Sequence, residues 1–127
     1  MKIIISPAKK LNSDKISVKN YSEVKFKSEA KSLVNKLKSL NIDDISKLMG
    51  ISKILAELNF QRFQNWDLKS QNVNPALFMF NGDVYKALNV KNFKDDDLIF
   101  AQDNLRIISG LYGILKPLDL IFAYRLE

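Results

Sequence analysis

The strongest helical pattern in the chain runs from Lys27 to Leu40. Apolar residues recur there at steps of three and four, which places them on one face of an α-helix. Most of the lysines in this stretch fall on the other faces. The apolar positions are Ala30, Leu33, Val34, Leu37 and Leu40. The pattern predicts an amphipathic helix whose apolar face meets a core and whose lysines face water.

Two shorter helices are predicted to follow. Asn41 or Asp43 can cap a helix that runs to Met49, and Gly50 can end it. Ser52 can cap a third helix. The apolar positions of this third helix are Ile54, Leu55, Leu58 and Phe63.

Two short apolar runs predict strands. Lys2–Ser6 is rich in β-branched residues and stops at Pro7, which is typical of a short strand with a fixed end. Ala76–Phe80 is too short and too apolar for an amphipathic helix, so it predicts a buried strand. The polar stretch 67–75 predicts a loop, and Asp83–Leu88 a short helix.

The last helix is predicted to begin at Asp95–Asp97 and to run to about Ile108. Its apolar face would carry Leu98, Ala101, Leu105 and Ile108. Three consecutive acids at the start of a helix complement its dipole and cap it, although a divalent-cation site is the alternative.

The segment Ser109–Gly113 follows this helix and resembles the turn of a helix-hairpin-helix. Such a turn presents backbone N–H groups to a DNA phosphate. Two residues separate Gly110 from Gly113, where the usual hairpin has one, and Pro117 limits the second helix. A plain connection after the helix is the alternative.

Short strands among several helices indicate a mixed, helix-rich α/β fold. The 127 residues, of which 46% are hydrophobic, suit a single domain at residues 1–127, or half of a larger one. The chain has no internal repeat and no low-complexity linker.

Positive charge is concentrated in the first part of the chain. Residues 1–55 carry twelve lysines and five acids, a net charge of +7, whereas residues 56–127 have a net charge of −1. A basic region favours a polyanionic partner such as nucleic acid, and a lysine-rich solvated surface is the alternative.

The absence of cysteine and histidine restricts the chemistry. It excludes disulfides, thiolate nucleophiles, His-based triads and metal sites that use imidazole or thiolate ligands. We expect no cofactor and no tight iron site, since oxygen ligands alone suit ferrous iron poorly. The start of the chain is too polar for a signal peptide and no stretch suits a membrane span, so we expect a cytoplasmic protein without membrane contact.

Two short segments are candidates for binding or chemistry. Ser6–Lys10 follows the first strand, where α/β proteins often bind ligands, so its lysines could meet a phosphate. Arg62, Phe63 and Trp66 combine a cation with aromatics, which suits base stacking. Ordinary surface and core packing are the respective alternatives.

Five blocks of the sequence resemble the YaaA family of bacterial peroxide-stress proteins. In order they are ISPAK at Ile5–Lys9, RF..W at Arg62, Phe63 and Trp66, F.GDVY at Phe80–Tyr85, AQ..LR..SGLYG.L.PLDL at Ala101–Leu120, and YRLE at Tyr124–Glu127. The resemblance covers the whole chain and implies that it is the amino-terminal half of one compact α/β body. We therefore expect exposed edges at the first strand and at Ala76–Phe80, and self-association through them.

The resemblance also implies a function. It implies a cytoplasmic protein of the oxidative stress response that protects DNA and protein, is linked to limiting intracellular iron, and binds double-stranded or branched DNA. The implied DNA-binding residues are Lys9, Arg62, Arg106, Ser109, Gly110, Leu111, Tyr112, Gly113, Lys116 and Arg125. Lys10 stands where the family often has Thr, and as a further candidate it would add positive charge to this site.

An enzyme acting on nucleic acid or on a nucleobase- or nucleotide-like substrate is the second hypothesis. Its candidate residues are Ser6, Lys9, Asp83, Tyr85 and Arg125. No spacing of nucleophile and base is readable, so we expect a binding protein rather than an enzyme.

Overall fold

The computed structural model describes residues 2–12 and 14–126. Its helices are α1 (Lys27–Lys38), α2 (Ile42–Met49), α3 (Lys53–Asn65), α4 (Ala76–Met79), α5 (Asp83–Leu88) and α6 (Asp95–Asn104). Its strands are β1 (Ile3–Ile5), β2 (Ser22–Glu23), β3 (Asn74–Pro75), β4 (Leu105–Ser109), β5 (Gly113–Leu115) and β6 (Asp119–Ile121). The predicted mixed α/β fold is confirmed.

The strands form two small sheets. In the first sheet, of order β1-β4-β5, β1 runs parallel to β4 and β4 pairs antiparallel with β5. In the second, of order β2-β6-β3, β6 is central and pairs parallel with β2 and antiparallel with β3. In each sheet, a strand from the first 23 residues thus pairs in parallel with a strand that begins at residue 105 or later.

The helices α2 and α3 begin where their capping residues predict. The Asn41 side chain accepts the N–H of Asp44, whose carboxylate accepts the N–H of Asn41, and Gly50 ends α2 in the left-handed region. The Ser52 hydroxyl accepts the N–H of Leu55 at 3.3 Å. In α1 the predicted positions Ala30, Val34 and Leu37 are buried.

The apolar face predicted for α3 is wrong in part. Ile54 is 81% exposed, whereas Ala56, Asn59 and Phe63 form the buried face. The side chain of Asn59 is accommodated there because its amide donates to the carbonyl of Leu55 at 2.9 Å. A buried asparagine at helical spacing hides the true periodicity of this helix from a hydrophobic pattern.

The prediction of a strand at Ala76–Phe80 is also wrong, although the segment is buried as predicted. Ala76–Met79 forms one helical turn that begins directly after Pro75. Pro75 is the residue before the first helical one, and its extended ψ of 138° ends β3 where the helical turn starts. A helix that is apolar on all sides belongs in a core, which is where this turn lies.

The helix predicted to continue to Ile108 ends at Asn104, and Leu105–Ser109 is a strand. Its residues alternate between the core and the open side of the sheet, and β1 and β5 pair with its two edges. Leu105 and Ile108 match a helical stripe by coincidence, because a short segment can satisfy both periods. The segment is a strand because β1 and β5 pair with it.

One face of the first sheet is uncovered. Ile4, Ile108 and Ile114 lie on its three strands and are 66%, 43% and 47% exposed. The predicted exposure of the first strand is therefore confirmed, whereas Ala76–Phe80 is buried. Among residues 2–12 and 14–126, no helix has the length and apolar character needed to cross a membrane.

Candidate functional site

The five sequence blocks meet around a group of aromatic side chains, here called the aromatic cluster. Its members are Trp66, Phe80, Tyr85, Tyr112 and Tyr124. Neighbouring ring centroids lie 5.1 to 6.3 Å apart, with the shortest distance between Tyr112 and Tyr124. Four of the blocks contribute these rings, and the fifth, ISPAK, contacts the cluster through Ser6.

Tyr112 is the hydrogen-bonding centre of the aromatic cluster. Its hydroxyl accepts from Trp66 Nε1 at 2.8 Å and from the N–H of Phe122 at 3.0 Å. It donates to the carbonyl of Phe122 at 2.9 Å. Burial raises the pKa of Tyr112 well above its ordinary value, so the hydroxyl stays neutral and keeps all three bonds.

The side chain of Ser109 holds the turn between β4 and β5 through hydrogen bonds to its backbone N–H groups. Its Oγ accepts the N–H groups of Leu111 and Tyr112 at 3.2 and 3.0 Å, and it shares a 2.5 Å hydrogen bond with the hydroxyl of Tyr124. These are the donors that a phosphate-binding turn would present to DNA. In this chain the N–H groups of Leu111 and Tyr112 donate to the Oγ of Ser109 instead. The residues Ser109, Leu111 and Tyr112 are also buried.

The two glycines of this turn serve close packing. A Cβ on Gly110 would lie 2.8 Å from the carbonyl oxygen of Leu126, and one on Gly113 would lie 2.8 Å from the ring of Phe26. Gly113 also has a φ of +73°, which favours glycine. The segment is therefore a β-hairpin, and its interpretation as a helix-hairpin-helix is wrong.

The ISPAK and F.GDVY blocks lie against each other. The hydroxyl of Tyr85 donates to the carbonyl of Ser6 at 2.6 Å, and the N–H of Asn81 donates to the carbonyl of Lys10 at 2.9 Å. Tyr85 is thus buried and bonded to backbone, while Asp83 is exposed. These two candidate residues of the enzyme hypothesis therefore lie in different environments.

The cations of the predicted DNA site lie in separate places. Exposed Lys9 and Lys10 follow β1. Arg106 and Lys116 line a groove of about 570 Å³ over the open face of the first sheet, and the guanidinium of Arg106 donates to the carbonyls of Gln102 and Leu105.

Arg62 and Arg125 lie apart from those cations. Arg62 lines a different pocket, of about 330 Å³. The Nε of Arg125 is buried and has no hydrogen-bond partner among the described residues, and Glu127 of the YRLE block lies outside them.

A cluster of lysines beside Trp66 was missed by the site prediction. A pocket of about 140 Å³ beside Trp66 is lined by Lys27, Lys31 and Lys38 of α1 and by Lys69 of the loop after α3. We call these four residues the lysine face. The signal was present in the sequence, because lysines spaced by four and seven residues fall on one side of a helix.

Comparison with known proteins identifies the family. The sequence model described as peroxide stress protein YaaA matches residues 1–127. The chain belongs to this family. It is 48% identical to UPF0246 protein lpg1366 of Legionella pneumophila over 131 residues, and 48% identical to a UPF0246 protein of Teredinibacter turnerae over 130 residues. All of the chain aligns, but it spans about half the length of these curated relatives, 51% in both cases.

A polar network between the second sheet and α6 of this YaaA-family chain was not predicted. Asp119 is 2% exposed, and its carboxylate accepts from the Ser22 hydroxyl at 2.5 Å and from the N–H of Lys116 at 2.8 Å. Gln102 donates to Ser22 and accepts from the N–H of Leu118. Burial raises the pKa of Asp119, while the bonds from Ser22 and Lys116 oppose that shift. The network joins β2, β6 and α6.

The three acids at Asp95–Asp97 act as a helix start in this family member. The carboxylate of Asp97 accepts the N–H of Lys94 at 2.9 Å, as a capping residue does. Among residues 2–12 and 14–126, no group of three or more acidic, histidine or cysteine side chains is placed to hold a metal ion. The capping interpretation is confirmed for Asp97, which caps the helix from its third position, whereas the N-cap residue itself is Lys94.

Proposed function

We propose that this chain is the part of a peroxide stress protein that binds double-stranded or branched DNA, and that it does so through the phosphate backbone. The observation that supports the proposal is the lysine face. Lys27, Lys31, Lys38 and Lys69 surround one pocket, and Asp67 is the acidic residue among the described residues that line it. Four cations around one acid favour a polyanion.

The spacing of the lysine face suits a duplex. Lys27 and Lys38 are eleven residues apart, so they span about 16 Å of helix at ~1.5 Å per residue. Phosphates of one DNA strand follow each other at ~3.4 Å along the duplex axis. One face of α1 can therefore meet several phosphates without contacting base edges, which predicts affinity without sequence preference.

The remaining cations of the predicted site have a secondary place in the proposal. Arg106 and Lys116 share their groove with exposed Ile108 and Ile114, and a DNA backbone offers these side chains no apolar partner. Lys9, Lys10 and Arg125 stay candidates for contacts at the edge of the duplex. We assign the first contact to the lysine face.

The test is fluorescence anisotropy with duplex and four-way-junction DNA across a salt series. A Lys27/Lys31/Lys38→Gln variant should reduce the slope of log Kobs against log salt by about 2 to 3, since each lost phosphate contact contributes ~0.9. A Lys47/Lys86/Lys91→Gln variant removes the same charge from exposed positions outside this face and serves as the control. An equal loss in both variants, or no binding by the folded wild type, would contradict the proposal.

The proposal includes a lowering of available intracellular iron by the full-length protein, as the family resemblance implies. The second candidate function is an enzyme that acts on nucleic acid or on a nucleobase-like substrate. One observation favours it, namely the pocket that contains Arg62.

A further inference from the structure

The pocket of about 330 Å³ between α3 and the end of the chain, here called the Arg62 pocket, has an unusual lining. Its polar side chains are cationic or carboxamide, and no acid is among the described residues that line it. They are Arg62, Lys15, Asn12, Gln61, Asn65, Asn72 and Asn74. Leu58, Met79, Phe122 and Ala123 supply the apolar part.

Arg62 is a half-buried cation without a carboxylate partner. Its guanidinium donates to Asn59 Oδ1 at 3.3 Å, and neither salt bridge found among the described residues involves it. Burial lowers the pKa of Arg62 from its ordinary value, yet arginine stays charged at neutral pH. A desolvated guanidinium of this kind is stabilised by an anion that fits its fork of donors.

The carboxamides divide into two groups. Asn12 donates to the carbonyl of Phe78 at 3.0 Å, while Asn74 accepts from the N–H of Ile16 at 2.9 Å, so both hold the loops around the pocket. Gln61, Asn65 and Asn72 are exposed at its rim. Each of these three presents a donor and an acceptor, which is the complement of the edge of a nucleobase.

We propose that the Arg62 pocket binds a nucleoside phosphate, with the phosphate on Arg62 and Lys15 and the base beside the rim carboxamides. The volume lies at the lower end of those typical for ligand pockets, which suits one nucleotide and excludes a dinucleotide. The apolar side chains of Leu58 and Phe122 offer the base a surface to lie on. The proposal is independent of the lysine face, which shares no residue with this pocket.

The ligand can be a free nucleotide or the terminal nucleotide of a DNA strand, and titrations of the intact chain distinguish them. The probes are the four nucleoside monophosphates, their nucleosides, inorganic phosphate and a short blunt-ended duplex. NMR of the carboxamide side chains is the readout. A monophosphate should bind at least tenfold more tightly than its nucleoside and than phosphate, and should shift the NH₂ signals of Gln61, Asn65 and Asn72. A response to the duplex alone would identify the strand end as the source.

Variants localise the site. Arg62→Gln should weaken binding at least tenfold, Arg62→Lys should restore part of it, and Lys86→Gln on α5 is the control. The Lys27/Lys31/Lys38→Gln variant should keep nucleotide affinity, which separates failure of this proposal from failure of DNA binding. Equal binding of inorganic phosphate, no binding of any probe, or no effect of Arg62→Gln in a folded protein would overturn the assignment.

Discussion

The aromatic cluster and the lysine face meet at Trp66 and are built on opposite principles. Trp66 donates to Tyr112 inside the cluster while its edge borders the lysine pocket. Inside, each polar atom has a defined partner at a short distance. On the outside, the three lysines of α1 share a helical period and all four lysines share a positive charge. A buried hydrogen-bonded group fixes a structure, whereas a solvated charge is free to meet a partner.

The largest effect should come from removing the central hydroxyl of the cluster. Tyr112→Phe leaves Trp66 Nε1 and both backbone groups of Phe122 without their partner, so the free energy of unfolding should fall by about 3 kcal/mol. Urea denaturation measures it. Tyr21→Phe, at a 63% exposed position, should change stability by less than about 0.5 kcal/mol. The DNA affinity of the folded Tyr112→Phe protein should be unchanged. A loss of DNA affinity would contradict the division between a structural aromatic cluster and a DNA-binding lysine face.

An intermediate effect is expected at the turn next to the cluster. Gly113→Ala combines a left-handed φ with a Cβ 2.8 Å from the ring of Phe26, and should cost about 2–3 kcal/mol. Gly50→Ala is the matched control, because Gly50 has a φ of +63° and nothing within 4 Å of a Cβ. It should cost about 1 kcal/mol. Equal losses of stability in the two variants would mean that Phe26 yields and the packing at the turn is loose.

The smallest effect concerns pH and the buried Asp119. Its pKa in the folded chain is raised by burial, so the native state favours the protonated form. Its contribution is fully present below the unfolded pKa of about 3.9 and is lost as the pH rises through the folded value. The stability of wild type relative to Asp119→Asn should therefore decline from about pH 4 upward. Urea midpoints of both proteins across the acidic range measure this decline. If the stability of wild type relative to Asp119→Asn rose with pH instead, burial would not be the dominant influence on the pKa of Asp119.

The sequence predicts elements whose cause is local. Caps at Asn41 and Ser52, the αL glycine at position 50 and the stripe of α1 each depend on a few neighbouring residues. The α/β class also follows from such local patterns. These features need no knowledge of which segments meet in space.

The predictions that were wrong concern residues whose structure depends on partners far away in the sequence. Leu105–Ser109 is a strand because residues of β1 pair with it, and Ser109 is buried because Tyr124 and the turn N–H groups surround it. The Arg62 pocket likewise brings together residues from positions 12 to 123. The family resemblance identified the blocks that meet, but not the hairpin that they build.

The pairing of β1 has a consequence for the order of events during synthesis. Ile3 leaves the ribosome early, yet its partner Leu105 follows 102 residues later. At about 5–20 residues per second, the strand waits about 5–20 s for its neighbour. During that time α1, α2 and α3 can form from contacts close in sequence, while three consecutive isoleucines stay unpaired. The strand β1 is thus synthesised before these helices but can pair with β4 only after them.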